Sequence, residues 1–144
     1  MNFDTTKPAF LDPVIVRVAA DGAGRTTFIV ERPFSYWSPR LGREIQIPSG
    51  IVTDGPSIPA LLAPLIGGGT PGFRISIVHD HLVRHPEIMP RAEADEVFLE
   101  GLIGACGVDP IVAQNMYIAV RAYSLQLENE ARGWPDPSEG NYQG

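Results

Sequence analysis

The chain has 144 residues, is 44% hydrophobic and 19% charged, and carries a formal net charge of −6. That length suits one domain with its own core, and the composition excludes disorder as the starting expectation. The 11 Lys and Arg form no run, so no nucleic-acid partner is expected, and the single cysteine, Cys106, allows no intrachain disulfide, which fits a reducing compartment.

The start, MNFDTTKPAF, lacks the basic opening and apolar stretch of a signal peptide. No window reaches the ~18 apolar residues that a membrane-spanning helix needs. From Val14 to Ala20 the chain is β-branched and alternating, Asp21 to Gly24 supplies turn chemistry, and Arg25 to Arg32 returns as a second strand. The stretch PFSYW ends in an aromatic pair before a turn at Ser38-Pro39. Two more short strands follow, Glu44 to Ile47 and Ile51 to Thr53, broken at Pro48-Ser49-Gly50. Connections of hairpin length leave no room for helical crossovers, so the sheet is predicted small and antiparallel.

After Asp54 the pattern turns helical. A short helix is predicted from Ser57, with Ser as cap and Pro59 in its first turn, and Gly67 to Gly72 reads as a loop. Phe73 to about Arg84 places Ile75, Val78, His79 and Leu82 on one face, and Pro86 stops it. Arg91 to about Cys106 carries the stripe Ala94, Val97, Phe98, Gly101, Leu102 and Ala105, closed by Gly107. Asp109-Pro110 opens a long helix to about Ala131, with Val112, Met116, Ala119, Val120, Tyr123 and Leu127 inward. Strands first and helices second make the class α+β: a small antiparallel sheet, then a three-helix C-terminal half. The domain is predicted over residues 1–133, with a Pro/Gly-rich tail over 134–144.

All three histidines fall in one stretch, FRISIVHDHLVRH, from Phe73 to His85. His79 shares the core face, Asp80 lies about 100° further round, and His81 and His85 fall on the turn side. The next helix follows after a short loop, so it runs antiparallel and can bring Asp95 across to His79. A carboxylate on one ring nitrogen fixes the tautomer and raises the basicity of the other, which can then take a proton from water. Asp80 beside it can hold a cation. The plainer readings are a buried structural His79–Asp95 hydrogen bond and an i, i+4 pair of Asp80 with Arg84. A zinc centre is not expected, because H-E-x-x-H and cysteine pairs are absent. The second cluster, IPSGIVTDGPSIP from Ile47 to Pro59, offers Thr53, Asp54 and Ser57 oxygens and the backbone freedom of Gly50 and Gly55. It reads either as a strand ending in a capped turn or as an oxygen-rich ion loop, and Asp54 with Asp80 would suit calcium.

Taken in order, IPSGIVTDGPSIP, VHDHL, RAEAD..F, GV and MYIAVRA resemble the DUF1353 family of uncharacterised phage and prophage proteins, over about Ile45 to Tyr123. Those motifs also carry Arg91, Tyr117 and Arg121, taken here as further candidate site residues. The resemblance implies a phage or prophage setting, in the host cytoplasm or the virion. More weakly, DGPS, PGF....VHD and AD..F are similar to the helix pair of secreted phospholipase A2 in its short bacterial form. That likeness implies His79 as the base, Asp95 as its support, and Asp80, Asp54 and the Gly55 carbonyl as calcium ligands. This chain departs from it in having no disulfides, Val83 where a tyrosine is usual, and a shorter His79–Asp95 spacing. Two functions follow as expectations. One is a cation-assisted hydrolase acting on a lipid or envelope ester. The other is a non-catalytic virion or tail component, docking on other phage proteins or oligomerising through terminal arms anchored by Trp134 and Tyr142.

Overall fold

A computed structural model describes residues 3–20, 27–53 and 72–136. The turn over 21–24, the short helix from Ser57 and most of the glycine loop before Phe73 lie outside the described residues. Six strands come first: β1 (Ala9–Phe10), β2 (Val16–Ala20), β3 (Thr27–Val30), β4 (Phe34–Ser38), β5 (Arg43–Ile47) and β6 (Val52–Thr53). Three helices follow: α1 (Phe73–Arg84), α2 (Arg91–Gly104) and α3 (Pro110–Asn129). The α+β class is as read from the sequence.

The β layer is divided between two three-stranded antiparallel sheets, ordered β1-β4-β5 and β2-β3-β6. Strand β4 takes in Phe34 to Trp37 of the stretch PFSYW and runs on through Ser38, where a turn was expected. It pairs with β5 so that Phe34 faces Ile47 and Tyr36 faces Ile45. All four are buried, so one face of this pair is core and the alternate residues face outward. In the second sheet, β6 pairs with β3 through Phe28–Thr53 and Ile29–Val52. That pairing carries Thr53, fully buried, into the interior.

Helix α1 buries eight of its twelve residues, Ile75, Ser76, Ile77, Val78, His79, Asp80, Leu82 and Val83. Its predicted face is there, and the helix is covered on further sides as well. Each of its buried aliphatic side chains contributes about 1.5–3 kcal/mol. An unpaired buried polar group costs about 1–3 kcal/mol. The helix can therefore carry His79 and Asp80 inside, provided both are bonded. Helix α2 packs against both α1 and α3. Its approach to α1 requires Gly101: a Cβ there would lie 2.3 Å from the Ile75 Cγ1 and Cδ1 atoms. Gly107, at φ 67, ends the turn after α2. Asp109 caps α3 by accepting from the backbone N–H of Ile111 at 2.9 Å, with Pro110 at the first helical position. The buried residues of α3 are Ala113, Met116, Val120, Ser124 and Leu127; Met116, Val120 and Leu127 are as predicted, and the predicted Val112 and Tyr123 are half-buried against the core. Among the described residues, no helix is long and apolar enough to cross a membrane.

Candidate functional site

The site grows from adjacent residues of α1. His79 and Asp80 are each 3% exposed and reach opposite layers of the fold. His79 turns to the helices. Its Nε2 lies 2.6 Å from Asp95 Oδ1 on α2. Asp95 is wholly buried, and its other oxygen, Oδ2, accepts from Arg121 Nη1 at 2.8 Å and Ser124 Oγ at 2.8 Å, both on α3. Three elements thus meet at one carboxylate, and each of its bonds is short enough to be charge-assisted. An ionised Asp95 needs a proton on Nε2, which leaves the lone pair on Nδ1. The His79 ring packs 4.7 Å from the Phe98 ring and 5.2 Å from Trp134, which stands edge-on to it.

Asp80 turns to the β layer. Its Oδ2 accepts from Thr53 Oγ1 at 2.7 Å and lies 3.7 Å from Arg84 Nη2, one turn along α1. Arg84 also donates from Nη1 to the Val52 carbonyl (2.7 Å) and from Nε to the Pro135 carbonyl (3.1 Å). The guanidinium therefore ties α1 to β6 and to the segment after α3. The expected i, i+4 pair exists, and it is a buried junction.

The structure brings His79, Asp95 and Arg121 into one network and Thr53 with Asp80 into a second. Tyr117, near enough to feel the Arg121 and Asp95 charges, donates to Glu96 at 2.6 Å, and that hydrogen bond first of all raises its phenol above the usual range. Arg91 lines a separate hollow with Pro86, Pro90, Leu127 and Arg132, and donates from Nη2 to the Arg132 carbonyl at 3.2 Å. Those hydrogen bonds go to Arg132 and Glu96 and not to the dyad. Asp54, Gly55 and Ser57 lie outside the described residues. Of the expected calcium ligands, Asp80 alone is described. Its Oδ2 faces the Arg84 guanidinium and Thr53 Oγ1. Among the described residues, no group of three His, Cys, Asp or Glu side chains is placed to hold a metal.

His85 is exposed, as expected, whereas His81 is only half-exposed. Burial, followed by the nearby His85 and Arg84 charges, holds the His81 imidazole below its usual range. Cys106 is half-buried, and burial pushes its thiol up, against a nucleophilic role.

Matching the chain to protein families places residues 28–120 on the model described as Protein of unknown function (DUF1353). The chain belongs to this family. The matched stretch of this DUF1353 protein runs from β3 into α3 and contains Thr53, His79, Asp80, Arg84 and Asp95. Arg121, Ser124 and Trp134, which complete the surroundings of the dyad, follow it. No curated protein and no solved structure matches the chain.

Sequence reasoning missed Ser124 and misassigned Trp134. Ser124 continues the apolar stripe of α3 at helical spacing, and a lone hydroxyl in such a stripe was its available signal. Trp134, expected as a docking anchor on a C-terminal arm, is 8% exposed and packs on His79 and, at 4.9 Å, on Tyr123. Its indole belongs to the domain's own core, so that expectation is corrected. The N-terminal stretch is also held by its own domain. Trp37 Nε1 donates to the Thr5 carbonyl at 2.9 Å, and Phe3 packs edge-on against Trp37. Tyr142, the other expected anchor, lies outside the described residues.

Proposed function

We propose that this protein is a hydrolase in which the His79–Asp95 dyad transfers protons during attack of water on an ester. The observation that carries the reading is Asp95, wholly buried, with one oxygen on His79 Nε2 and the other held by Arg121 and Ser124. This arrangement orients the ring and leaves Nδ1 as the basic atom. Nδ1 takes a proton from water, and the oxygen of that water bonds to the ester carbonyl carbon. Asp95 stabilises the imidazolium that forms. As the tetrahedral intermediate collapses, the bond to the leaving alkoxide breaks and Nδ1 returns the proton to it. Each of these steps is carried by His79, Asp95 and the attacking water. The likeness to the phospholipase A2 helix pair supports an acyl ester of a phospholipid as substrate. The phage or prophage setting implied by the family resemblance would make that an envelope lipid.

The test is turnover of the full-length protein on mixed phosphatidylglycerol–phosphatidylethanolamine vesicles and on short-chain p-nitrophenyl esters, with calcium and with EDTA. Fatty acid or phenol release is expected in both conditions. It should fall at least a hundredfold in His79→Gln of unchanged circular dichroism. A wild type that releases nothing above buffer, or a His79→Gln as active as wild type, would overturn the proposal.

A further inference from the structure

On the opposite side of α1 from Asp95, a hollow of about 220 Å³ opens beside the turn before β6. His81, Arg84, His85 and Asp136 are among its lining residues. Neither histidine belongs to the proton-transfer network. His81 lies in α1 and His85, four positions on, is the residue that ends it. Their ring centroids are 4.8 Å apart. The spacing is that of H-E-x-x-H without its glutamate, a ligand pair without a catalytic base.

Two further observations give the pair a ligand. First, His85 Nδ1 lies 3.1 Å from Glu87 Oε1. A carboxylate accepting from Nδ1–H leaves the Nε2 lone pair outward, the outer-shell arrangement that orients metal-binding histidines. Second, the Arg84 guanidinium in the hollow's lining is engaged by Asp80 at 3.7 Å and by the Val52 and Pro135 carbonyls, and Asp136 also lines the hollow. Imidazole nitrogens select zinc, copper and nickel over calcium or magnesium.

We propose that His81 and His85 chelate a divalent transition-metal ion of the zinc class, with Glu87 orienting His85. Two side chains supply two of four tetrahedral positions, at about 2.0–2.1 Å per nitrogen. Water fills the others, since among the described residues no third histidine, cysteine or carboxylate is already in place. The site is thus open on the hollow side. It is separate from the dyad and does not depend on its activity.

The experiment is titration of the full chain at pH 7.5, with Zn²⁺ followed by calorimetry and Co²⁺ by its visible absorption. One saturable site is expected. His85→Ala and His81→Ala should each weaken it at least tenfold, and Glu87→Gln by about tenfold with both imidazoles retained. His85 is an exposed position, so its variant keeps the fold, checked by circular dichroism. Absence of saturable uptake by the wild type would refute the proposal. So would an affinity undiminished in His85→Ala, which would put the ion elsewhere.

Discussion

Replacing Asp95 by Asn separates what holds the fold from what sets the proton. The carboxylate takes three donors at 2.6, 2.8 and 2.8 Å, from His79, Arg121 and Ser124. Asn keeps one acceptor oxygen and gains an NH₂. With the oxygen facing Arg121 and Ser124, both of those bonds survive, and the NH₂ meets His79 Nε2. That nitrogen must then accept, so the ring proton moves to Nδ1. The cost is the charge-assisted part of the Arg121 bond and of the His79 bond, about 1.5–3 kcal/mol. Asp95→Ala has no such rescue. It strands a guanidinium, an imidazole and a hydroxyl, and should cost about 3–5 kcal/mol. Urea unfolding of the three proteins at pH 7 gives these differences. Nitrogen-15 NMR of the His79 ring gives the tautomer, expected as Nε2–H in wild type and Nδ1–H in Asp95→Asn. Ester turnover should fall about 10³–10⁴-fold in Asp95→Asn, because a ring held in the wrong tautomer cannot act as base. An Nδ1–H ring in the wild type, or an unchanged tautomer in the variant, would refute this account.

Trp134→Ala removes the indole that stands 5.2 Å from the His79 ring. Modification of His79 by diethylpyrocarbonate should speed up at least tenfold, with His85 as the unchanged internal reference. Equal rates would mean that Trp134 does not cover the site. Tyr36 is raised well above the usual phenol range, first by burial and then by the Glu100 charge that it also hydrogen-bonds. Its folded pKa lies above the unfolded value of about 10, so its contribution is whole below that pH. Above it the unfolded chain ionises first, and stability should fall by about 1.4 kcal/mol per pH unit. Tyr36→Phe should be less stable at pH 7 but lose this slope; parallel unfolding curves from pH 9 to 11 would count against the assignment. Gly101→Ala forces a Cβ to 2.3 Å from Ile75 side-chain atoms. It should cost about 1–3 kcal/mol by denaturant unfolding, and a loss under 0.5 kcal/mol would show that α1 and α2 can separate without penalty.

Periodicity carried the reading furthest where one residue's phase decides its surroundings. His79 follows Ile75 by four residues and precedes Leu82 by three, so it had to enter the core, and a short loop brought Asp95 across. The same logic identified the Asp109-Pro110 start of α3, because cap and proline act locally. What stayed hidden depends on partners distant in sequence. The pairing of β1 with β4 and of β3 with β6 skips the hairpins that sequence can signal, so two sheets looked like one. PFSYW ended in a turn signal and concealed β4, whose alternation shows only once its partner β5 is in place. Tail composition was equally misleading. GWPDP reads as the start of a Pro/Gly-rich docking arm, yet Trp134 is seated in the core, and its neighbour Pro135 is pinned by Arg84 from 51 residues earlier.

The doublet of His79 and Asp80 acquires its meaning from the turn of about 100° between them. One residue is wired through Asp95 to α2 and α3, the other through Thr53 to β6. Adjacent positions on a single helix therefore join the helical and β layers, and both attachments are charged or hydrogen-bonded. Removing Asp95 would leave His79, Arg121 and Ser124 without their shared acceptor in the interior, which is costlier than never having buried it. Arg84 extends this coupling. It balances Asp80, accommodates the Val52 carbonyl of β6 and holds the Pro135 carbonyl next to the indole that covers His79. The side chain paired with Asp80 thus also anchors the segment whose indole packs on His79. Movement of the Trp134 segment would reach α1 at two points, His79 through the indole and Arg84 through the Pro135 carbonyl.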